Sequence, residues 1–190
     1  MFFYHIYFIT MKKYLLLSIF LLFISCFASK PKYLTSKFNP DTRTGLESKI
    51  NINGYYVLDP NCEYNFYRIF AFYNNGLVIN YNTSIFDKTA FDDVSSFNWG
   101  IYNIISDTIR SQIIINSGVL YGYGVTKADL LILPKGELLY FGNYYSDDIE
   151  NKDVELVPTQ CPTQFQFYPT DSLPDYRQCP YLKKKWFVER

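Results

Sequence analysis

Apolar and polar residues alternate along much of the chain in short runs, broken at near-regular intervals by polar turn clusters. The sharpest case runs from Trp99 to Ile115, where two arms rich in Ile, Tyr and Trp flank Ser106-Asp107. That pattern predicts a β-hairpin. Alternation places Trp99, Ile101, Asn103 and Ile105 on one face of the first arm and Asn98, Gly100, Tyr102 and Ile104 on the other. Both faces carry bulky apolar groups, so this arm is expected to be a central strand covered on each side, with Gly100 marking a kink.

Similar runs lie on both sides of it. Gly54 to Leu58 forms a first strand closed by Asp59-Pro60-Asn61, and Tyr64 to Tyr73 a second. Asn74-Asn75-Gly76 turns the chain back into Leu77 to Tyr81, the Asn-Gly step supplying positive φ angles. Val119 to Val125 is Gly- and Tyr-rich, a twisted strand or an ordered loop. Ala128 to Leu133 and Glu137 to Asn143 make a hairpin around Pro134-Lys135-Gly136, followed by short runs at Val154 to Val157 and Phe165 to Tyr168. Residues 82–96 and 144–153 are polar loops. Past the N-terminal segment no stretch sustains a 3.6-residue period, so the expected class is all-β: an antiparallel meander of about eight strands forming a β-barrel, with a β-sandwich as the alternative.

Both flanks of this meander differ from it. Residues 29–53 are polar, carry Lys30, Lys32, Lys37, Arg43 and Lys49, and read as a tether. Five of the nine prolines fall at or beyond Pro158. Proline removes a ladder donor, so this tail is expected to be extended and to wrap the sheet with Trp186 and Phe187 tucked back.

Composition narrows the classes of function. The chain of 190 residues suits one domain with a real core, and aromatic residues make up 20% of it. Eighteen basic residues balance eighteen acidic ones, which gives no electrostatic case for nucleic acid. Met11-Lys12-Lys13 and the apolar Tyr14 to Ile24 form a basic n-region and an h-region of secretory length. Residues 1–25 are therefore expected to be a signal peptide, with Met11 as the true start. His5, the single His, then lies upstream of the mature chain. Phe23-Ile24-Ser25-Cys26 resembles a bacterial lipobox, which implies cleavage before Cys26 and acylation of that residue by diacylglycerol and palmitate-type chains. Residues 26–53 would then be a lipidated tether and 54–190 the barrel domain. The alternative is an ordinary signal peptide cut near Ala28. With Phe27-Ala28-Ser29-Lys30 after the Cys, lacking the Asp of inner-membrane retention, the resemblance implies an outer-membrane lipoprotein on the periplasmic face.

Three further cysteines, Cys62, Cys161 and Cys179, allow three pairings in an oxidising compartment. Cys161–Cys179 is favoured, because its loop of just under twenty residues contributes about 3 kcal/mol and pins the Pro-rich tail. No catalytic residue emerges. Without His in the mature chain, Ser-His-Asp, Cys-His and His-metal chemistries lose their base or ligand. Asp147, Asp148, Glu150, Asp153 and Glu155 lack the order of a calcium loop and read as a solvated acidic stretch. Asp107-Thr108-Ile109 and Asp171-Ser172-Leu173 resemble a bacterial O-glycosylation pattern, but turn chemistry explains both.

The lipobox, then Asn53-Gly54-Tyr55-Tyr56, then the Asn-Gly hairpin, then Trp99-Gly100-Ile101-Tyr102 before Asp107-Thr108-Ile109, together resemble the lipocalin-like (calycin-like) lipoproteins of Gram-negative bacteria. Gly54-Tyr55-Tyr56 is similar to the opening Gly-x-Trp of lipocalins, with Tyr at the Trp position. The Pro-rich tail departs from the lipocalin helix. The likeness implies an eight-stranded barrel that binds a small lipophilic ligand or envelope lipid; the missing His and absent motifs argue against an enzyme, and no cofactor or metal is expected. The alternative is an interaction module for an envelope protein or glycan. It leaves the ligand-binding residues unknown.

Overall fold

The computed structural model describes residues 30–31, 34–60, 65–86, 97–116, 123–145 and 163–189. Eight strands form one antiparallel sheet: β1 (Gly54–Leu58), β2 (Tyr67–Phe72), β3 (Leu77–Thr83), β4 (Asn98–Ile105), β5 (Thr108–Asn116), β6 (Tyr123–Ile132), β7 (Leu138–Tyr145) and β8 (Gln166–Pro169). Their order is β7-β6-β5-β4-β3-β2-β1-β8, a meander whose last strand returns beside the first. The residues leading into β8 also reach the other edge. Tyr140 N–H donates to the Thr163 carbonyl (2.8 Å), and Phe165 N–H donates to that of Leu138 (2.9 Å). One extended segment thus pairs with β7 through its first half and β1 through its second, curling the sheet into a nearly closed barrel. The barrel reading is the correct one, and the sandwich is excluded.

The expected turns sit where their chemistry requires. Gly76 has φ 91° between β2 and β3, and Ser106 has φ 56° in the two-residue turn of the central hairpin. In the third turn the left-handed angles fall on Lys135 (φ 74°) and Gly136 (φ 79°). Gly100 faces the barrel interior, where an added Cβ would lie 2.3 Å from the Gln112 carbonyl oxygen. Its missing side chain is what lets β4 and β5 close on one another.

Two departures from the sequence reading are physical. First, the stretches split around residues 126–127 form one strand, β6, paired with β5 from Thr108 to Asn116. Thr126, Lys127 and Asp129 made the run look interrupted, yet ladder bonds are backbone bonds and tolerate any side chain that finds its proper face. Second, residues 34–53 pack on the barrel rather than standing clear as a tether. Leu34, Phe38, Leu46 and Ile50 are all buried, but they are spaced too irregularly to give a period. The run at 154–157 and the acidic residues 147–155 lie outside the described residues, as does Cys26.

Strand alternation divides the apolar residues into two cores. Inward-facing Tyr56, Phe70, Phe72, Val78, Ile113, Leu130 and Tyr140 fill the barrel, joined by Leu46 and Ile50 from the N-terminal segment. Outward-facing Val57, Ile69, Ile79, Trp99, Ile101 and Val125 form a second core on the outer surface, covered by Leu34, Phe38, Cys179, Tyr181 and Phe187. The two coverings are joined. Phe38 N–H donates to the Phe187 carbonyl (2.7 Å), Glu189 N–H donates to that of Phe38 (2.8 Å), and the two Phe rings stack at 5.9 Å. Residues 170–189 make this cover as a series of short turns, including a 3₁₀ turn at Tyr176–Gln178. Burial explains why Tyr181 titrates high, pushed up to about 12 with small contributions from Tyr123 and Cys179.

The outer core makes the tail structural. Phe187→Ala removes a fully buried ring and is expected to destabilise the protein by about 3–5 kcal/mol, read as a lowered midpoint of urea unfolding. Asp129 supplies a pH signature. It is buried on β6 beside exposed Arg110 (3.3 Å), and desolvation raises its pKa despite that partner. The native state therefore holds this proton more tightly than the unfolded chain does. The associated stability is full below the unfolded Asp value and is lost as pH rises through the raised folded value. Urea unfolding across this range is expected to show wild type losing stability relative to Asp129→Asn as pH increases; the opposite slope excludes Asp129 as the cause.

Candidate functional site

Among the described residues, the barrel is filled at one end and hollow at the other. At the filled end the connections are the tight β2–β3, β4–β5 and β6–β7 turns. Leu46 and Ile50 plug the interior there, next to Phe72, Tyr102, Leu138 and Leu130. Tyr102 locks this plug: its hydroxyl donates to the Tyr73 carbonyl (2.7 Å) and sits 2.8 Å from Thr44 Oγ1. Thr44 N–H in turn donates to the Asn74 carbonyl (2.9 Å), tying the N-terminal segment to the β2–β3 turn. Burial raises the Tyr102 phenol well above its ordinary range, against the lowering effect of the Thr44 bond. Tyr56, on the same interior face, is pushed up to about 12 by burial while its hydroxyl donates to the Asn51 carbonyl (2.9 Å).

The opposite end is where β1, β3, β5 and β7 finish and β2, β4, β6 and β8 begin. Here the interior holds a cavity of about 390 Å³. Eight-stranded barrels are of the size at which side chains either fill the interior or leave room for one small ligand, and this barrel does one at each end. The cavity is walled by inward positions of β2 to β6. Phe70, Ile113 and Ala128 supply its deep apolar surface, with Phe66 and Ile115 nearer the rim. Arg68, Asn80, Asn82, Asn98 and Thr126 supply the polar surface. The registers Phe70↔Asn80, Asn80↔Asn98 and Ile113↔Thr126 bring these residues together from chain positions far apart.

Arg68 is the charged residue among the described lining residues. It is 3% exposed, and its side chain crosses the interior from β2 to β7. There the guanidinium carbon lies 4.6 Å from the centre of the Tyr140 ring, and Nη1 donates to the Tyr140 hydroxyl. The Phe66 ring flanks the guanidinium at 5.7 Å. A guanidinium held against rings is weakly hydrated and keeps its planar fork of donors oriented. Asn80 is 8% exposed and donates from Nδ2 to the Ile69 carbonyl (3.3 Å). Thr126 is 7% exposed, and its hydroxyl has no hydrogen-bond partner among the described residues.

None of these lining residues stands out in the sequence as a site. The legible signal was parity. Arg68 and Asn80 are polar residues inside otherwise apolar strand runs, at positions that register places on the inner face. Of the residues singled out from sequence, Cys179 is 3% exposed in the outer core, free among the described residues. In its thiol form burial pushes it up to about 12, which makes it a poor nucleophile. Its favoured partner Cys161, with Cys62 and the lipidation residue Cys26, lies outside the described residues. Among the described residues no group of three or more His, Cys, Asp or Glu side chains is placed to hold a metal ion.

Comparison with protein-family models, curated proteins and solved structures finds no match for this chain.

The unpartnered hydroxyl yields a test independent of any ligand. A buried hydroxyl without a hydrogen bond costs about 1–3 kcal/mol of desolvation, so the near-isosteric Thr126→Val is expected to leave unfolding free energy unchanged or raised. Tyr140→Phe removes the acceptor of the Arg68 contact and is expected to lower it by about 1–3 kcal/mol. Urea unfolding of both variants reads the contrast; a Thr126→Val loss equal to that of Tyr140→Phe shows that the hydroxyl is already satisfied.

Proposed function

We propose that this chain is a non-enzymatic binding protein whose barrel takes up one small molecule at its hollow end. The observation that carries the reading is the interior cavity of about 390 Å³, within the range of small-ligand sites. Half of its walls are aliphatic and aromatic, and half are amide, hydroxyl and guanidinium. That mixture favours an amphipathic ligand over a wholly lipophilic one. An apolar body packs on Phe70, Ile113 and Ala128, while a polar group meets the side chains of Asn80, Asn98 and Thr126.

The reading fits a lipocalin-like lipoprotein. The lipobox at Cys26 supports anchoring by several acyl chains, of which each buried methylene contributes about 0.8 kcal/mol. Leu34 and Phe38 lie on the outer face of the barrel, so an anchor at Cys26 holds the barrel near the membrane surface. Envelope-derived amphiphiles are then the ligands within reach.

Native mass spectrometry of the protein purified from its host tests the proposal. The expected result is a stoichiometric small molecule, released on denaturation. Ile115→Trp fills the rim of the cavity from a half-buried position and is expected to abolish that adduct while preserving the unfolding midpoint. A clean apo mass for the wild type, with a co-purifying protein in its place, favours the interaction module.

A further inference from the structure

Resting on the binding reading above, we infer that the cavity selects an uncharged ligand with a carboxamide head, whose carbonyl accepts from Thr126 and whose N–H donates to the paired asparagines Asn80 and Asn98. Register sets the height of these groups. Arg68 pairs with the exposed Asn82 at the open end of the barrel. Asn80 and Asn98 pair with each other one inward position further in, on β3 and β4, and Thr126 stands opposite Ile113 on β6. Strand β5 separates the asparagine pair from Thr126, so polar side chains face the cavity from two sides. Around and below them Phe70, Ile113 and Ala128 are apolar and buried.

The polar groups of these walls match an amide. Thr126 lines the cavity, is more than nine-tenths buried, and its Oγ1 has no partner among the described residues. A hydroxyl in that state is costly, and a ligand carbonyl supplies the acceptor it lacks. Asn80, also more than nine-tenths buried, donates one amide hydrogen to the Ile69 carbonyl (3.3 Å). An asparagine carries two amide hydrogens and a carbonyl, so that bond leaves the carbonyl to accept from a ligand N–H. Asn98 is half-buried and adds a second amide beside the first. Side chains directly opposite in an antiparallel pair lie about 5 Å apart at Cβ, close enough for one head group to meet both.

Other common heads fit these walls less well. A carboxylate offers acceptors only and brings a charge, and Arg68 is committed to partners within the protein, Tyr140 among them. An alcohol has one oxygen in place of the amide's separate donor and acceptor. A hydrocarbon strips water from Thr126, Asn80 and Asn98 and returns no hydrogen bond. Size limits the rest of the ligand. A cavity of about 390 Å³, at about 30 Å³ for each water-sized group, holds roughly a dozen heavy atoms. A medium-chain amide fits, and a two-chain lipid does not fit within the walls.

Isothermal titration of the purified protein, freed of any endogenous adduct, with octanamide, octanoate and 1-octanol tests the inference, since the three share a chain and differ at the head. The expected result is octanamide binding about fivefold or more tightly than either of the others. Thr126→Val and Asn80→Leu, both close to the original side chain in size, are each expected to weaken octanamide by about three- to tenfold and to narrow its lead over 1-octanol. Asn80 also bonds the backbone, so Thr126→Val decides the assignment if the Asn80 variant loses its fold. A smaller lead of octanamide over either competitor overturns the amide assignment and leaves the binding reading standing. So does a Thr126→Val protein that keeps the full preference for octanamide. Absence of binding by all three also overturns the amide assignment, and joined to a clean apo mass of the wild type it overturns the binding reading too.

Discussion

The fold depends on the double pairing of residues 163–169. An antiparallel sheet with two free edges exposes a row of unpaired N–H and C=O groups on each, which invites pairing with other chains. Here a single extended segment borders both edges, bonding to the start of β7 through Thr163 and Phe165 and to β1 through the four pairs from Gly54↔Pro169 to Val57↔Gln166. Closure also decides what the interior becomes. Once β1 and β7 are joined through this segment, inward positions of every strand face one another across a fixed diameter, and the choice of side chain sets whether the space is filled or left open. Phe165 and Phe167 belong to the same closing segment and pack inward against Phe70, Tyr140 and Tyr56. Pairing and filling are thus done by one stretch of chain.

A consequence is an uneven distribution of order along the barrel axis. At the plugged end, aromatic rings interlock: Phe72 meets Tyr102 at 5.4 Å and Tyr56 at 6.0 Å, and Phe70 stacks on Phe72. Short turns and the Thr44–Tyr102 bonds seal that end. At the other end the strands carry Asn, Thr and Arg inward, residues that fill space less completely and bring donors that need acceptors. A folding-optimised barrel would place Leu or Phe at Asn80, Asn98 and Thr126. Polar groups kept at such positions cost stability, and a site that binds polar ligands is the physical setting in which that cost is repaid.

Much of the fold was legible because its determinants are local. Asn74-Asn75-Gly76 and Pro134-Lys135-Gly136 announce turns through residues that tolerate left-handed angles, and the alternation in Trp99 to Ile105 assigned the faces of β4 as they occur. What failed locally failed for a physical reason. β6 was broken in the reading because Lys127 and Asp129 face outward amid apolar neighbours, and the packing of Leu34, Phe38, Leu46 and Ile50 depends on contacts with residues far along the chain. The cavity was illegible for a stronger reason. Arg68, Asn80, Asn98 and Thr126 come from four strands, and only their registers make them neighbours. No spacing rule within one segment reports such a site, although polar residues at inward parity are the trace it leaves.

The isolated bridge between Phe38 and Val188 has a bearing on how the molecule is made. It joins positions separated by 150 residues, and the closure between β1 and β8 joins positions 109 to 115 residues apart. Contacts of that sequence separation form late and slow the folding of β-rich domains. During synthesis every strand from β1 to β7 has emerged before the residues that complete either the barrel seam or the outer cover. The seam and the outer cover therefore both wait for residues 163–189.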